Sequence, residues 1–271
     1  MSTNIKSVDV VLAKELVERN NVSSDIHSLS INQVSGDFAV TLAITDGAVV
    51  IHPQSLNHPT TSLIGGDITL TTFSGFGSLN SPLDAKFDTG HGKLWIADTG
   101  NSRVLKVDAY SQLAEFSIPN LNTPYAVCPN SNTGGVFIKD FYSNVVGIVS
   151  SYSTSGVLLS SIKYADDNTL ELPSPLPSTI VFDNRRNRLW WAALDKAYML
   201  DLLNNQVTDL SLSSYNVSNT RGIDVHLDSG NVFVVVKDTV DNWSLLQIFR
   251  DNTVILDQAY LPESSIEPCH Y

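Results

Sequence analysis

Short runs of β-branched and aromatic residues, separated by turns rich in glycine, asparagine, aspartate and serine, recur along the chain. The clearest group of four runs covers residues 82–88, 93–98, 103–108 and 113–116. Runs of this length and composition, bounded by turn-forming residues, are typical of β-strands. The group therefore predicts a unit of four antiparallel strands.

The same unit occurs again later in the chain, at residues 177–183, 189–193, 198–201 and 207–210. In the first copy Asp88 precedes Leu94 by 6 positions, and in the second Asp183 precedes Leu189 by 6. Weaker copies pair residues 27–31 with 38–46, 124–127 with 136–140, and 221–225 with 234–238. The sequence is therefore built from repeats.

In every copy an aspartate stands at or just past the end of the second strand. These aspartates are separated by 52, 42, 55 and 43 residues. Four strands at a period of this size predict the blade of a β-propeller. Because one such sheet cannot bury both of its faces alone, blades stack around an axis. The predicted fold class is all-β, a β-propeller of four-stranded antiparallel blades.

The repeats predict the propeller over residues 26–262, after an N-terminal segment, 1–25, and before a C-terminal tail, 263–271. Five blades account for the copies, and six are the alternative. Two extra strand-like segments, 8–12 and 67–73, complete a blade edge or belong to a degenerate sixth blade. A β-sandwich also fits alternating strands, but the repeated unit argues against it.

One segment carries a more specific pattern. Ala97 and Asp98 are followed by Asn101, Arg103 and Val104, and the unit also has a proline near its first strand and an aromatic residue in its second. This unit, residues 82–107, resembles an NHL repeat. The resemblance implies a toroid that recognises partners through a flat face. The family also includes lyases, and lactonase-like propellers have a related shape.

The turn after Asp98 has a structural interpretation and a functional one. Asp and Asn side chains bond to nearby backbone N–H groups, and Gly100 permits positive φ, so the segment forms a tight turn. Functionally, equivalent turns on one face form a ring that engages a basic protein partner or a cation. The predicted partner-binding residues are Asp46, Asp98, Asn101, Arg103, Asp140, Asp195 and Asp238.

Catalytic chemistry is not evident in the residue pattern. The 6 histidines show no metal-ligand spacing, so we predict no catalytic residue, no metal ligand and no cofactor. A propeller can still bring polar residues from several first strands into its central channel. The candidates for such a channel site are Asp84, Asp224 and His226.

The composition limits the classes of partner that the chain is expected to bind. The net charge of −12 opposes binding to nucleic acid. The basic cluster at Arg185, Arg186 and Arg188 is predicted to be a solvated hairpin turn. The 2 cysteines are too far apart to form a metal motif, and both are expected to be free. Without a secretory or membrane-spanning apolar run, we expect synthesis in the cytoplasm and no membrane insertion.

These observations favour a non-catalytic propeller scaffold for protein–protein interaction or assembly. A Ser/Thr/Asn-rich chain with few charges also suits a structural component of a virion or another large complex. One alternative is a lyase-type or lactonase-type propeller enzyme with a metal in the channel. Another is a carbohydrate-binding module, which rests on Trp243 in a predicted loop. Trp95, Trp190 and Trp191 are predicted to pack between blades.

Overall fold

In the computed structural model, the described residues lie mostly in strands and in the turns that connect them. The described residues are 26–31, 38–42, 48–52, 68–70, 72–108, 111, 113–143, 146–165, 179–193, 195–215, 217–238, 243–248 and 254–257. Their regular structure is almost entirely β, with five four-stranded antiparallel sheets. The chain divides into two compact units, Met1–Tyr125 and Ala126–Cys269.

The first unit contains two of the four-stranded sheets and one short hairpin. Sheet I consists of β1 (Ile26–Ile31), β2 (Phe38–Leu42), β3 (Ala48–His52) and β4 (Ile68–Leu70). The short hairpin consists of β5 (Thr72–Phe73) and β6 (Gly77–Ser78). Sheet II consists of β7 (Asp84–Asp88), β8 (Lys93–Asp98), β9 (Arg103–Asp108) and β10 (Ala114–Ile118).

The second unit contains the other three sheets. Sheet III consists of β11 (Ala126–Asn130), β12 (Gly135–Ser143), β13 (Val146–Tyr152) and β14 (Leu158–Ala165). Sheet IV consists of β15 (Ile180–Asp183), β16 (Arg188–Ala193), β17 (Lys196–Asp201) and β18 (Gln206–Ser211). Sheet V consists of β19 (Val217–His226), β20 (Asn231–Asp238), β21 (Trp243–Ile248) and β22 (Val254–Asp257).

The hairpin between the first and second strands repeats in sheets II to V. The last residue of each first strand is polar, and the turn ends on a residue with positive φ. These polar residues are Asp88, Asn130, Asp183 and His226, and the positive-φ residues are Gly92, Gly134, Asn187 and Gly230. Side chains such as Asp and Asn satisfy the turn's N–H groups, as when Asp183 accepts from the backbone N–H of Arg185 at 3.2 Å. The repeat predicted from Asp88 and Asp183 is therefore real and extends to further sheets.

The sheets of the second unit pack face to face. Trp190 lies in a buried cluster with apolar residues of sheet V, among them Val225 and Val234. In sheet III, Phe137 contacts Phe182 of sheet IV with ring centroids 5.3 Å apart. Trp190 and Phe137 stand at the same distance from their hairpins, so an aromatic residue at one repeated position contacts the following sheet. The prediction that such tryptophans pack between sheets is confirmed for Trp190.

The turns of sheets III, IV and V are joined side by side. Asn132 donates its side-chain amide to the Asn184 carbonyl and to the Asn187 side chain, each at 3.2 Å. Arg186 donates to the Asp183 carboxylate of its own sheet at 3.0 Å and to the Leu227 carbonyl of sheet V at 2.9 Å. These bonds link neighbouring hairpins through side chains, independently of the apolar packing.

Two sequence expectations in this region need correction. The basic cluster does form a hairpin turn, and Arg185 is exposed beside Asp228. Arg186, however, is largely buried because its guanidinium bridges two sheets. Trp243, which the sequence predicts in a loop, is instead the first residue of β21 and pairs with Lys237. Residues 68–70 form the fourth strand of sheet I, which agrees with the alternative that this segment completes a blade edge. Segment 8–12 lies outside the described residues.

A glycine substitution tests the link between sheets IV and V. Gly230 has φ +78°, and a Cβ on it would lie 2.5 Å from the Arg186 guanidinium carbon. Gly230→Ala should cost about 1 kcal/mol from its left-handed backbone, plus about 1–2 kcal/mol from the displaced Arg186 bonds. The measurement is the free energy of unfolding in urea.

The control is Gly75→Ala, because Gly75 has φ +81° and nothing within 4 Å of the added Cβ. Equal losses in the two variants would contradict the role assigned to Arg186.

Candidate functional site

The turn after Asp98 is organised around a buried carboxylate. Asp98 ends β8, and its side chain is fully buried. One oxygen accepts the backbone N–H of Asn80 at 2.7 Å, and the other accepts Asn101 Nδ2 at 2.9 Å and Arg103 Nε at 2.6 Å. A buried charge needs such compensation, because an uncompensated one is strongly destabilising. The charge of Asp98 is therefore balanced within the fold.

Arg103 extends the same network to the chain that precedes sheet II. Its terminal nitrogens donate to the Phe76 carbonyl and, at 3.0 Å, to the Ser78 carbonyl. Asn101 Nδ2 also reaches the Ser78 carbonyl, at 2.8 Å. The three residues of the NHL-like pattern thus tie the turn to the short hairpin of β5 and β6. This arrangement favours the structural interpretation of the pattern.

Gly100 is required for a reason different from the one expected. It does not have positive φ; in this turn the left-handed residue is Ser102, at φ 53°. A Cβ on Gly100 would lie 2.6 Å from the side-chain carbon of Asn80. The backbone N–H of Gly100 donates to the Asn80 carbonyl at 2.8 Å, and Asn80 Nδ2 returns a bond at 3.1 Å. The glycine allows two backbone segments to approach closely.

Of the other predicted aspartates, Asp195 and Asp238 stand at or just past the end of a second strand, as expected, whereas Asp140 does not. Asp140 lies inside β12, which continues to Ser143, so its expected place at the strand end is wrong. Asp140 is mostly buried. Burial raises the pKa of Tyr152, and the negative charge of Asp140 raises it further. Asp195 lies just past β16 and is partly exposed, whereas Asp238 ends β20. Asp46 lies outside the described residues. Partner binding by these residues stays a prediction.

The channel candidates have different environments. Asp84 begins β7, is buried, and lies 3.6 Å from Lys86 Nζ. Asp224 is exposed on β19, and its carboxylate accepts the N–H of Val225 at 2.8 Å. His226 is exposed at the hairpin, where its Nδ1 lies 2.9 Å from Ser229 Oγ. The histidine thus serves the turn, and a common channel site stays a prediction. No cluster of three or more metal-ligating side chains occurs among the described residues.

Sheet II also carries a polar and aromatic cluster that the sequence did not indicate. Lys106 is nearly buried, with its Nζ 5.3 Å from the Trp95 ring centre and 5.4 Å from that of Phe116. Glu115 lies 3.6 Å from the same ammonium group and 2.5 Å from that of Lys93. Neighbouring strands bring these side chains together, since Lys106 pairs opposite both Trp95 and Phe116. The only hint in the sequence is a lysine inside an apolar strand.

A second lysine shows the same pattern in the other unit. Lys139 interrupts an apolar run in β12 and is almost fully buried. Its ammonium group donates to the Ala192 carbonyl of sheet IV at 3.1 Å. Polar side chains therefore contribute to contacts between sheets. The lysines inside these strands, Lys106 and Lys139, are part of the packing.

Among the described acidic residues, Asp108 has a clearly lowered pKa. Burial raises the pKa of its carboxyl, but hydrogen bonds from Lys93 and from the backbone and hydroxyl of Ser111 outweigh burial and lower the pKa to about 2. The Lys93 bond is 2.7 Å long, and the Ser111 bonds are 2.8 Å and 3.0 Å. In return, the bonds to Asp108 and Glu115 raise the pKa of Lys93.

The repeated four-stranded antiparallel sheets and their shared hairpins define an all-β repeat protein. The structure is similar to a chain in the crystal structure of a nidogen/laminin complex, with a TM-score of 0.62 and 16% identity over 90% of this chain and 83% of that one. It is also similar to hydrazine synthase of Kuenenia stuttgartiensis, with a TM-score of 0.52 and 16% identity. That match covers 72% of this chain and 53% of the other. These similarities support a β-propeller fold.

The sequence matches no protein-family model, and it matches no curated protein. The NHL resemblance therefore stays with the pattern around Asp98. In the described part of the chain, no helix is long and apolar enough to cross a membrane.

The buried ion pair gives a stability prediction. Arg103→Leu leaves the Asp98 carboxylate buried without its cation and should lower the free energy of unfolding by about 3 kcal/mol. Adding Asp98→Asn to that variant should recover part of the loss, because the buried charge is removed. Unfolding in urea provides the measurement.

Arg185→Leu is the matched control, since Arg185 and Asp228 are both exposed and such pairs contribute about 0–1 kcal/mol. A loss for Arg103→Leu no larger than that of the control would refute the role of the buried pair.

Acid titration tests the contacts of Asp108. Because its pKa is lowered on folding, its contribution is present above the ordinary value of 3.8 and is lost as pH falls toward about 2. Lys93→Met should return the pKa toward 3.8, and Ser111→Ala should shift it less because the backbone N–H remains. Carboxyl-carbon NMR measures both shifts; an unchanged pKa in Lys93→Met would rule out the proposed cause.

Proposed function

We propose that the chain is a non-catalytic β-propeller scaffold that binds a protein partner and holds it in an assembly. The observation that carries this proposal is the network around Asp98. The polar residues of the most specific sequence motif are engaged in fixing a turn, with three donors on one carboxylate. A turn held in this way presents a rigid surface, which lowers the entropic cost of binding.

The architecture we propose is a closed ring of five NHL-like blades, one for each four-stranded sheet. Support comes from the shared hairpin of sheets II to V and from the packing of sheets III, IV and V against one another. The similar chain from a nidogen/laminin complex belongs to a protein–protein assembly, which is consistent with protein partners. The form of assembly that we propose includes a virion or another large particle.

The partner surface in this proposal is formed by the turns that follow the second strands. Asp195 is partly exposed there, and Asp238 ends the equivalent strand of sheet V. The net charge of −12 favours a basic partner and disfavours acidic ones. Asp98, Asn101 and Arg103 hold the turn of sheet II in place, and the exposed surface of these turns makes the contacts.

Charge reversal at the exposed turns tests the proposal. The combined change Asp195→Lys and Asp238→Lys should weaken partner binding about tenfold or more and reduce its salt dependence. Binding is measured by titration calorimetry with the partner that copurifies with the full chain from its native source. For a particle component, the same variant should fail to sediment with the particles.

Asp228→Lys serves as the control because Asp228 is exposed in the hairpin between β19 and β20, at the opposite end of β20 from Asp238. Unchanged affinity in the double variant would exclude these turns as the partner surface. If no protein copurifies under any condition, the scaffold function itself is refuted.

A further inference from the structure

The exposed apolar side chains are confined to one kind of turn. Among the residues whose burial the structure describes, the large apolar side chains that are exposed all lie in or directly beside a hairpin between a third and a fourth strand. They are Leu113 in sheet II, Val157, Leu158 and Leu159 in sheet III, and Leu203 and Val207 in sheet IV. Single exposed apolar residues are normal when scattered, whereas a grouped set is typical of an interaction site.

The hairpins of sheets III and IV hold these side chains in fixed positions. In sheet III the backbone N–H of Ser153 donates to the Val157 carbonyl at 2.8 Å, and the Val157 N–H donates to the Ser153 hydroxyl at 3.1 Å. In sheet IV the backbone N–H of Leu203 donates to the Asp201 carboxylate at 2.9 Å. Because each turn is held by its own bonds, little conformational entropy is lost when its apolar side chains are covered.

Both apolar groups lie at the end of the sheets where the hairpins are joined side by side. In an antiparallel sheet of four consecutive strands, the first-to-second and third-to-fourth hairpins share one end, and the turn after the second strand lies at the other. The bonds of Asn132 to sheet IV place the hairpin ends of sheets III and IV together. Asp195 and Asp238 stand at the opposite end. The apolar groups are therefore separate from the turns proposed to bind a protein partner.

This end of the sheets carries no net charge, although the chain as a whole is strongly acidic. The described hairpins of sheets III, IV and V at this end span residues 130–135, 152–158, 183–188, 201–206 and 226–231. They contain three arginines and three aspartates, and those of sheet III contain no charged residue. The net charge of the whole chain is −12. A second copy that approaches through this end therefore brings no net charge to the contact.

We propose that this end of the second unit binds a second copy of the chain, so that the protein forms a two-fold symmetric dimer. In such a contact the same surface serves both copies. The apolar group at Val157, Leu158 and Leu159 of one copy packs on Leu203 and Val207 of the other, and the reverse contact forms at the same time.

Charge favours a second copy over a different protein as the occupant. A neutral surface is complementary to itself, whereas a strongly charged partner gains no electrostatic attraction from it. Interfaces between identical chains are typically apolar and depleted of charge at their centre, as the hairpins of sheet III are.

The dimer extends the proposed function without depending on it. Because Asp195 and Asp238 stand at the opposite end of their sheets, each copy keeps these turns open. The dimer therefore presents two copies of the proposed partner surface, and two linked sites bind a partner with repeated sites more tightly than one does.

Sedimentation velocity of the full chain, with no other protein added, measures the dimer. We expect a monomer–dimer equilibrium that depends on concentration. Leu203→Glu should weaken dimerisation about tenfold or more, because it places a charge in an apolar contact. The matched control is Ser214→Glu, which adds the same charge at the opposite end of sheet IV, where Ser214 is exposed. This control should leave the dimerisation constant nearly unchanged.

Cross-linking and salt dependence identify the surface. A photoreactive phenylalanine at position 203 should cross-link to residues 157–159 of a second copy, which is recognised by mixing isotope-labelled and unlabelled chains. The same group at position 214 should give no cross-link between copies. Dimerisation should strengthen with added salt, because salt screens the repulsion between two chains of net charge −12.

A chain that is monomeric at every concentration would overturn the proposal, as would a dimer that Leu203→Glu leaves unchanged. In an extract of the native source, a cross-link from position 203 to a different protein in place of a second copy would overturn it as well. These results are independent of the charge-reversal test at Asp195 and Asp238. Failure of the dimer leaves the scaffold function standing, and loss of partner binding with an intact dimer refutes only the scaffold function.

Discussion

The structure depends on how a four-stranded sheet with apolar residues on both faces is shielded from water. A lone sheet of this kind leaves one face exposed, so each sheet needs neighbours on both sides. Sheet IV shows the solution, because Trp190 packs on sheet V while Phe182 meets Phe137 of sheet III. The burial of these aromatic side chains provides the main driving force for stacking. The repeated position of the aromatic residue makes the same contact available from one sheet to the next.

Apolar packing alone does not fix how neighbouring sheets are aligned, and polar contacts supply that constraint. Arg186 joins the hairpins of sheets IV and V, and Lys139 reaches a carbonyl of sheet IV from sheet III. Thr179 does the same on the first strands, since its hydroxyl donates to the Ile223 carbonyl and accepts the Ile223 N–H. Because buried polar groups are costly when unbonded, each such contact penalises a misaligned arrangement. Polar residues such as Arg186, Lys139 and Thr179 thus align neighbouring sheets.

Local patterns in the sequence were sufficient to predict all four strands of sheets II and IV and the first two strands of the other sheets. β8 and β9 begin and end where the alternating pattern places them, because turn residues bound them on both sides. The pattern failed where tertiary contacts override it. β12 runs past Asp140 because β13 pairs with the extra residues. The burial of Arg186 was not predictable because its partner Leu227 is distant in the sequence and belongs to another sheet. For the candidate site, the motif identified the turn but not that Asp98 is buried.

Because polar side chains of the turns and hairpins hold the sheets in place, they limit where a repeat protein of this kind can bind a partner. The side chains of the Asp98 turn already hold bonds within the fold, so using them for a partner would exchange internal bonds for external ones with little net gain. An outer strand differs, since its outer edge pairs with no other described strand and a partner strand added there would break no bond within the sheet. The hairpins and first strands must align with their neighbours, which restricts the residues they accept. Outer strands face no such constraint beyond avoiding aggregation, so specificity can evolve there without disturbing the packing of the sheets.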